Sequence, residues 1–302
     1  MASPIDWTFG GTWPYEPRWF ETPEGRLHYV DEGRRDGRPV VLVHGNPTWG
    51  YLWRHFIPPL AGAGLRVIVP DHLGFGRSDK PDDPAVYRIP RHAARLEQLL
   101  ESLDLNEATV VLQDWGGPIG LAWAARHPER IRSLAILNTL AHRPQGRVRL
   151  PVPLRVLRIP GVGEVLVKGA HAFVRVILFR GGMVHPERLG PNERAAYLAP
   201  HPNWRSRTGV LVFPREIPAG PDGAVSDFLA SVHDGLMALR QKPVFIAWGM
   251  KDIAFVPAFL DELWLADFPH AQVLRLTDAG HYVQEDAHEE IVPALLDFLG
   301  RA

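Results

Sequence analysis

An aspartate stands where the sequence changes from a strand pattern to a helix pattern. Val110–Gln113 is a run suited to a β-strand, and two glycines and a helical pattern follow Asp114 and Trp115. A strand, a sharp turn with one reactive side chain at its apex, and a helix make up a nucleophile elbow. A carboxylate at the apex attacks a carbon electrophile, and water must then hydrolyse the ester that forms. Asp114 taken alone also suits an ordinary helix cap.

Two further residues with catalytic side chains follow other predicted strands. Asp252 comes after the strand at 244–248, and His281 comes after the strand at 273–276. In open α/β sheets, functional groups gather at the carboxyl ends of the strands. Each residue alone has a structural alternative, which is a turn aspartate for Asp252 and a cap or core histidine for His281. Their order of nucleophile, acid and histidine nevertheless predicts a catalytic triad with Asp114.

An oxyanion hole needs two backbone N–H groups directed at the developing negative charge. In this arrangement they come from Trp115, directly after the nucleophile, and from Asn46, in the loop after the strand at 40–43. Gly116 and Gly117 leave room for a tight turn. Leu112 is larger than the residue usual two positions before the nucleophile, so we expect a slightly wider elbow.

The elements that position these residues alternate between strands and helices, which predicts an α/β fold with a mostly parallel sheet covered by helices on both faces. The rhythm breaks at 141–217, a segment rich in Pro, Gly and Arg with helical patches near 164–180 and 192–198. We therefore predict a core of residues 1–140 and 218–302, with 141–217 inserted as a helical cap. The predicted strands are 26–31, 40–43, 67–71, 110–113, 134–137, 244–248 and 273–276, and a helix is predicted through 53–57.

Composition excludes several classes of function. The chain has 302 residues, a net charge of −1 and no cysteine, which rules out disulfides, thiol nucleophiles and cysteine-ligated metals. The net charge gives no electrostatic indication of a nucleic-acid or membrane partner. Residues 1–10 lack the basic start and apolar stretch of a signal peptide, and no apolar run approaches the roughly 18 residues of a membrane span. We expect a cytoplasmic protein; the oligomeric state is not readable.

Five motifs together resemble those of the haloalkane dehalogenases. The match covers nearly the whole predicted core and is weakest in the cap. The first and third motifs are the specific ones, and the others occur in many α/β-hydrolases. The motifs are His44–Pro47, Asp71–Asp79, Gln113–Gly117, Trp248–Asp252 and Asp278–His281.

The resemblance implies a reaction and a role for each site residue. Asp114 attacks the carbon that bears the halogen, and the indole of Trp115 and the side-chain amide of Asn46 hold the departing halide. His281 then activates water to hydrolyse the ester, and Asp252 orients His281 and stabilises its protonated form. The products are a primary alcohol and halide, and no metal or organic cofactor is required.

Two features place the resemblance in the third subgroup of these enzymes, which combines an Asp-His-Asp triad with an Asn-Trp halide pair. Some members hold halide with a cap tryptophan, but the only one here, Trp204, lies late in the cap. Others carry the acid after the preceding strand, where this chain has Asn138 and Thr139. Asn46 and Asp252 therefore keep their roles.

Other functions remain as alternatives. An epoxide hydrolase uses the same triad with two cap tyrosines, whereas this cap contains only Tyr197. A ligand receptor without turnover and a light-emitting oxygenase are more distant. We expect Asp71 and Asp79 to tie loops together. We assign every tryptophan except Trp115 and Trp204 to packing: Trp7, Trp13, Trp19, Trp49, Trp53, Trp123, Trp248 and Trp264. Residues predicted to shape an apolar pocket are Val165, Leu166, Phe173, Val174, Ile177, Leu178 and Phe179, with Phe75 and Val283 beside the catalytic loops.

Overall fold

A single sheet of eight strands forms the centre of the computed structural model, which describes residues 5–302. The strands are β1 Arg18–Thr22, β2 Gly25–Gly33, β3 Pro39–Val43, β4 Arg66–Pro70, β5 Ala108–Gln113, β6 Ile131–Leu137, β7 Val244–Gly249 and β8 Gln272–Leu276. Their order is β1-β2-β4-β3-β5-β6-β7-β8. β2 pairs antiparallel with β1 and β4, and all later pairings are parallel. The predicted mostly parallel sheet is confirmed.

The central strands are apolar along their whole length because both faces of the sheet are covered. Every residue of β3, β5 and β7 is buried. The helices α2, α3 and α7 pack against one another, whereas α1 contacts β2 and β4, and α11 contacts β7 and β8. The α-helices are α1 Ile57–Gly62, α2 Ile89–Ser102, α3 Gly116–Arg126, α4 Val152–Leu157, α5 Pro191–Leu198, α6 Thr208–Glu216, α7 Ala224–Leu236, α8 Pro257–Phe259, α9 Leu265–Asp267, α10 Val283–Asp286 and α11 His288–Arg301.

Shorter helices of other types complete the structure. The 3₁₀-helices are Gly50–Trp53, Pro84–Tyr87, Pro128–Arg130, Pro186–Arg188, Arg205–Arg207 and Met237–Leu239, and the π-helices are Glu164–Gly169, Phe173–Gly181 and Leu260–Trp264. None of the helices within residues 5–302 is both long and apolar enough to cross a membrane. Residues 1–4, the start of the segment in which we expect no signal peptide, lie outside the described residues.

Three local predictions were wrong or incomplete. The strand β1 was not predicted, because an exposed edge strand lacks the buried apolar pattern that identifies the others. Trp19 on this strand is 38 % exposed, contrary to the packing role that we expected. Its ring contacts the guanidinium of Arg26 at 4.7 Å instead. The helix predicted through 53–57 is a 3₁₀ turn at Gly50–Trp53 followed by α1, whose first turn contains proline, a residue suited to helix starts.

The segment that we predict as the cap, residues 141–217, lies between β6 and β7 and contains helices and loops. Both predicted helical patches are present in it. Val165 is 62 % exposed, so its predicted place in an apolar pocket was wrong. Four other residues of the predicted pocket are buried, because they lie on the side of the π-helix Phe173–Gly181 that packs into the hydrophobic core; they are Phe173, Val174, Leu178 and Phe179.

A buried ion pair of the core accepts a hydrogen bond from this segment. The guanidinium of Arg54 donates to both carboxylate oxygens of Glu285 at 2.5 and 2.7 Å, and the hydroxyl of Tyr197 on α5 donates to the same carboxylate. Both charged side chains are almost fully buried. Glu285 lies on α10, the helix that follows His281. Its contacts therefore connect this helix to Arg54, directly after the 3₁₀-helix Gly50–Trp53, and to Tyr197 in the segment predicted as the cap.

Removing one member of this pair should destabilise the protein strongly. We expect Arg54→Met to lower the free energy of unfolding by about 3–5 kcal/mol, because it leaves the Glu285 carboxylate buried without a counter-charge. Denaturant unfolding followed by circular dichroism measures the change. The double variant Arg54→Met/Glu285→Gln should recover part of the loss. Arg34→Met is the matched control, because Arg34 pairs with Asp36 in solvent, and its unfolding curve should match that of the wild type.

Candidate active site

Asp114 occupies the apex of the turn between β5 and α3. Its backbone is left-handed, with φ of +52°, a conformation that aspartate tolerates better than most residues. The Gly117 N–H donates to the Asp114 carbonyl at 3.0 Å, and the Thr139 hydroxyl donates to the same oxygen. The turn therefore has the strand–turn–helix form that the sequence predicts for an elbow.

Small residues allow other chain segments to approach this turn closely. A Cβ on Gly45 would lie 2.2 Å from Oδ1 of Asp114, so only glycine lets the 44–47 loop reach the carboxylate. The volume of Leu112 is taken up elsewhere, because a Cβ on Gly120 would lie 2.4 Å from a Leu112 methyl group. The space for the Leu112 side chain, which we expected a wider elbow to provide, is thus provided by Gly120.

The structure brings Asp114, Asp252 and His281 together from the ends of three strands. His281 Nδ1 lies 2.8 Å from Oδ2 of Asp252, and His281 Nε2 lies 3.5 Å from Oδ2 of Asp114. The second distance exceeds that of a good hydrogen bond, as is common before substrate binds. All three side chains are buried or nearly so. In this geometry Nε2 of His281 faces the Asp114 carboxyl, while Asp252 orients the ring through Nδ1.

Asp252 is held by groups that the sequence analysis did not assign. Its Oδ1 accepts the backbone N–H groups of Ala254 and Phe255 at 2.7 and 3.1 Å. Its Oδ2 accepts the side-chain amide of Asn138 at 2.9 Å. Asn138 also accepts the Gly249 N–H at 2.7 Å. Its place at the carboxyl end of β6, between the ends that carry Asp114 and Asp252, is the signal that could have identified it.

Two more residues position the ring of His281. The side-chain amide of Gln113 lies 3.2 Å from His281 Nε2 and donates to the His281 carbonyl at 3.1 Å. The ring of Phe255 stacks on the imidazole, with 5.4 Å between centroids. Gln113 was included in the elbow motif without a role, and nothing in the sequence marks Phe255, because its contact depends on the loop after β7.

The segment predicted as the cap contributes one backbone group to the site. The Gly182 carbonyl accepts the N–H groups of His281 and Tyr282 at 2.8 and 3.2 Å. The Asp286 carboxylate accepts the N–H groups of Val184 and His185 beside it. The loop that carries His281 is therefore fixed to the cap through its own backbone.

The charges around His281 favour its protonated form. Burial by itself lowers the pKa of His281, but the negative charge of Asp252 and the hydrogen bonds to Asp114 and Asp252 outweigh it and raise the pKa to about 10. The imidazolium is therefore the resting form of His281 at neutral pH.

Asn46 and Trp115 lie next to Asp114, and each has a side-chain donor without an acceptor among the described residues. The backbone N–H of Asn46 donates to Oδ1 of Asp114 at 2.7 Å. Oδ1 of the Asn46 amide is buried without a partner among the described residues, and a half-turn of the amide would bring its NH₂ group to the same place. Trp115 is half-buried with its ring edge-on to Phe213. Within residues 5–302, no protein acceptor is bonded to its indole N–H or to the Asn46 NH₂ group.

Other predicted residues have structural surroundings. Asp71 accepts the N–H groups of Gly50 and Arg77, and Asp79 accepts that of Arg26, so both tie loops together as predicted. The Tyr197 hydroxyl is fully buried and donates to Glu285. It is therefore not free to protonate an epoxide oxygen.

Two groups of side chains that could ligate a metal lie elsewhere among the described residues, and one of them consists of Glu97, Glu101 and His127. His142, His233 and Asp267 converge, with both imidazole Nε2 atoms 2.8 and 2.9 Å from Oδ2 of Asp267. These are hydrogen-bond distances, so the three side chains satisfy one another without an ion.

Removing the acid should change the protonation of His281. We expect Asp252→Asn to lower the pKa of His281 by about 1–3, because the largest interaction that favours the imidazolium is then lost. Titration of the imidazole resonances by NMR measures it, with His281→Gln to assign the signal. Asp278→Asn is the control, because Asp278 contacts His185 and not His281. An unchanged pKa in Asp252→Asn would contradict the assignment of Asp252 as the partner.

Comparison with known proteins agrees with this geometry. Residues 38–288 match the family model described as the alpha/beta hydrolase fold. A cis-3-alkyl-4-alkyloxetan-2-one decarboxylase of Shewanella oneidensis is 38 % identical over 288 residues, 95 % of this chain and 89 % of that protein. A haloalkane dehalogenase of Mycobacterium marinum is 37 % identical over 283 residues, 92 % of this chain and 90 % of that protein.

A solved structure of a haloalkane dehalogenase has the same fold as this chain. The crystal structure of a haloalkane dehalogenase from Bradyrhizobium elkani superposes with a TM-score of 0.85 at 32 % identity and covers 94 % of this chain and 97 % of that chain. The chain therefore belongs to the alpha/beta hydrolase fold family and, within it, to the group of proteins that includes the haloalkane dehalogenases and the cis-3-alkyl-4-alkyloxetan-2-one decarboxylases.

Proposed function

We propose that the protein is a haloalkane dehalogenase of the Asp-His-Asp subgroup, in which Asn46 and Trp115 form the halide pair. The observation that carries this proposal is the pairing of the Asp114 carboxylate with two neutral donors that no acceptor among residues 5–302 occupies. Neutral donors suit a halide, because an anion held by a full positive charge would leave slowly.

In the first step, Oδ2 of Asp114 attacks the carbon that bears the halogen, and the carbon–halogen bond breaks as the carbon–oxygen bond forms. The halide departs with the bonding electron pair toward the amide of Asn46 and the indole of Trp115. We assign the attack to Oδ2 because Oδ1 is already held by the Asn46 backbone N–H. The step leaves an alkyl ester on Asp114.

In the second step, His281 takes a proton from water, and the resulting hydroxide attacks the carboxyl carbon of the ester. The negative charge then develops on Oδ1, where the Asn46 backbone N–H already donates and the Trp115 N–H is the second predicted donor. Collapse restores the Asp114 carboxylate and releases the alcohol. Over both steps, one haloalkane and one water become an alcohol, a halide and a proton.

The surroundings support a small apolar substrate with water and halide as the other reactants. The buried cap residues Phe173, Val174, Leu178 and Phe179 provide apolar surface. We propose that residues 141–217 act as the cap of a core formed by 1–140 and 218–302. We also propose that the enzyme acts in the cytoplasm, without a nucleic-acid partner.

A second function is supported by the decarboxylase relatives. An oxetan-2-one is a four-membered lactone that becomes an alkene when it loses carbon dioxide. The same Asp114 oxygen could attack the saturated ring carbon that bears the ring oxygen. The bond from that carbon to the ring oxygen breaks, and the carboxylate so formed takes the place of the halide as leaving group. Loss of carbon dioxide would then form the double bond and expel Asp114 as a carboxylate. This route consumes no water, so it needs no general base.

The first test measures halide release from a panel of bromo-, iodo- and chloroalkanes. We expect release that is faster for bromide and iodide, which are the better leaving groups, and that falls at least about ten-thousand-fold in Asp114→Ala. An oxetan-2-one with two alkyl chains is assayed in parallel for carbon dioxide and alkene. Alkene without halide would replace the dehalogenase proposal by the decarboxylase, and diol from an epoxide would replace it by an epoxide hydrolase.

The halide pair can be tested separately. We expect Asn46→Ala and Trp115→Phe each to slow halide release by about a hundredfold, the cost of losing one donor to a developing charge. Trp204→Phe is the matched control, because Trp204 is an exposed cap tryptophan, and its rate should equal that of the wild type. A slower Trp204→Phe would move the halide site to the cap.

His281 distinguishes the two reactions and gives a pH dependence. We expect His281→Gln to accumulate a protein heavier by the alkyl group when it is mixed with a haloalkane, whereas alkene formation from the lactone would persist. In the wild type, hydrolysis of the ester needs neutral His281, so its rate falls as the pH falls. Esterification removes the Asp114 charge, so we expect the midpoint to lie below the pKa of about 10 of the free enzyme. Single-turnover kinetics across pH measure it.

A further inference from the structure

The cap carries a concentration of positive charge that the net charge of the chain conceals. Residues 141–182 contain seven arginines, one lysine and a single acidic residue, Glu164, which gives a net charge of +7. The whole chain has a net charge of −1, so the remaining residues are strongly acidic overall. The expectation of no membrane partner, which rested on the total, does not describe this segment.

Most of these charges have no carboxylate partner within the described residues. Five arginines are exposed and form no ion pair there. The only acid of the segment, Glu164, is already paired with Arg215 at 2.7 Å. The five exposed arginines are Arg147, Arg149, Arg155, Arg175 and Arg180. Their charge is therefore open to a partner.

Aliphatic side chains are exposed among the arginines. On α4, Val152 and Arg155 are both exposed and lie one turn apart, and Arg175 and Val176 are adjacent on the π-helix Phe173–Gly181. The exposed aliphatic residues are Val152 at 65 %, Ile159 at 49 %, Val162 at 41 %, Val165 at 62 % and Val176 at 51 %. We call these five residues and the five arginines the outer cap face.

The opposite side of the same helices packs against the core. Leu157, Val167, Val174 and Leu178 are buried and belong to the core cluster. The exposed residues at helical spacing from them therefore point away from the core. Trp204, which is 47 % exposed, lies 5.3 Å from the ammonium of Lys168 at the margin of this face.

The combination of open cationic charge and exposed aliphatic surface fits one partner best. We propose that the outer cap face docks on an anionic phospholipid bilayer, with the arginines on the lipid phosphates and the aliphatic side chains at the boundary of the acyl chains. Basic residues attract a segment to anionic lipids, and apolar side chains on the same face insert between the head groups. Trp204 adds an aromatic ring of the kind that favours the membrane interface.

Two other partners fit less well. A nucleic acid would match the charge, but proteins bind its bases with stacked aromatic rings rather than with valine and isoleucine. A second copy of the chain would bring two faces of the same strong positive charge together, and they repel each other. The bilayer satisfies both the charge and the aliphatic surface.

Docking would use no residue that contacts Asp114 or His281, so the proposal stands whatever reaction the site performs. For an apolar substrate, it would place the cap against the phase in which such a substrate concentrates. The anionic cytoplasmic leaflet is compatible with the cytoplasmic location proposed above.

The experiment is co-sedimentation of the full chain with phospholipid vesicles. We expect binding to vesicles of equal phosphatidylcholine and phosphatidylglycerol, release by high salt, and no binding to phosphatidylcholine alone. Arg155→Gln/Arg175→Gln should lower the partition coefficient by about 30-fold, because each basic residue at an anionic surface contributes about a fivefold factor. Val162→Ser/Val165→Ser should lower it by about tenfold without changing the charge.

The matched control is Arg18→Gln/Arg91→Gln, which removes two exposed arginines outside the cap and should leave binding within about twofold of the wild type. Circular dichroism and thermal unfolding of each variant check that the fold is retained. The proposal is overturned if the wild type does not bind anionic vesicles, or if the cap variants bind as well as the control. It is also overturned if duplex DNA at the same salt competes the protein off the vesicles, which would identify a nucleic-acid face instead.

Discussion

The arrangement at the candidate site depends on the left-handed backbone of Asp114 at the end of β5. That conformation turns the side chain out of the sheet and toward the loop after β3, where the Asn46 N–H meets Oδ1. It is tolerated because the surrounding chain leaves no alternative: Gly45 lets the loop come close, and Thr139 holds the carbonyl of the turn. A local strain of this kind persists only where neighbouring segments over-determine the turn. The direction of the Asp114 carboxylate, its bond from the Asn46 N–H and its approach to His281 all follow from this backbone conformation.

Around that turn, the charges form a chain of alternating sign. Asp114 and Asp252 are both carboxylates, and the imidazolium of His281 lies between them. Asn138 contributes a neutral donor to Asp252, so the adjacent strand end adds a hydrogen bond without adding a third negative charge. A second acid there would repel Asp252, whereas the amide donates a hydrogen bond to it. On the other side of Asp114, Asn46 and Trp115 also carry donors without a charge, which under the proposed function would attract a leaving anion without holding it permanently.

The sheet and the convergence of the three catalytic candidates could be predicted because both follow from patterns along the chain. Buried parallel strands read as apolar runs, and parallel strands bring their ends to one edge, so Asp114, Asp252 and His281 had to lie close together. Contacts that depend on how loops fold back could not be predicted, among them the stacking of Phe255 on His281 and the bond from Gly182. The edge strand β1, the exposure of Trp19 and the exposure of Val165 were missed for a related reason, since apolar residue types alone do not say which side of an element faces solvent. Net charge misled in the same way, because it averages over a basic cap and an acidic remainder.

Because the Gly182 carbonyl accepts the N–H groups of both His281 and Tyr282, an outward swing of residues 182–185 would release the backbone of His281. A hinged lid at this place would therefore disable the enzyme each time it opened. Entry to Asp114 without displacing residues 182–185 would have to use rearrangements of side chains, which interconvert far faster than lids move. The rates of entry and release would then depend on the cross-section of the molecule, and a product with a bulky tail would have a longer residence time than a slender one.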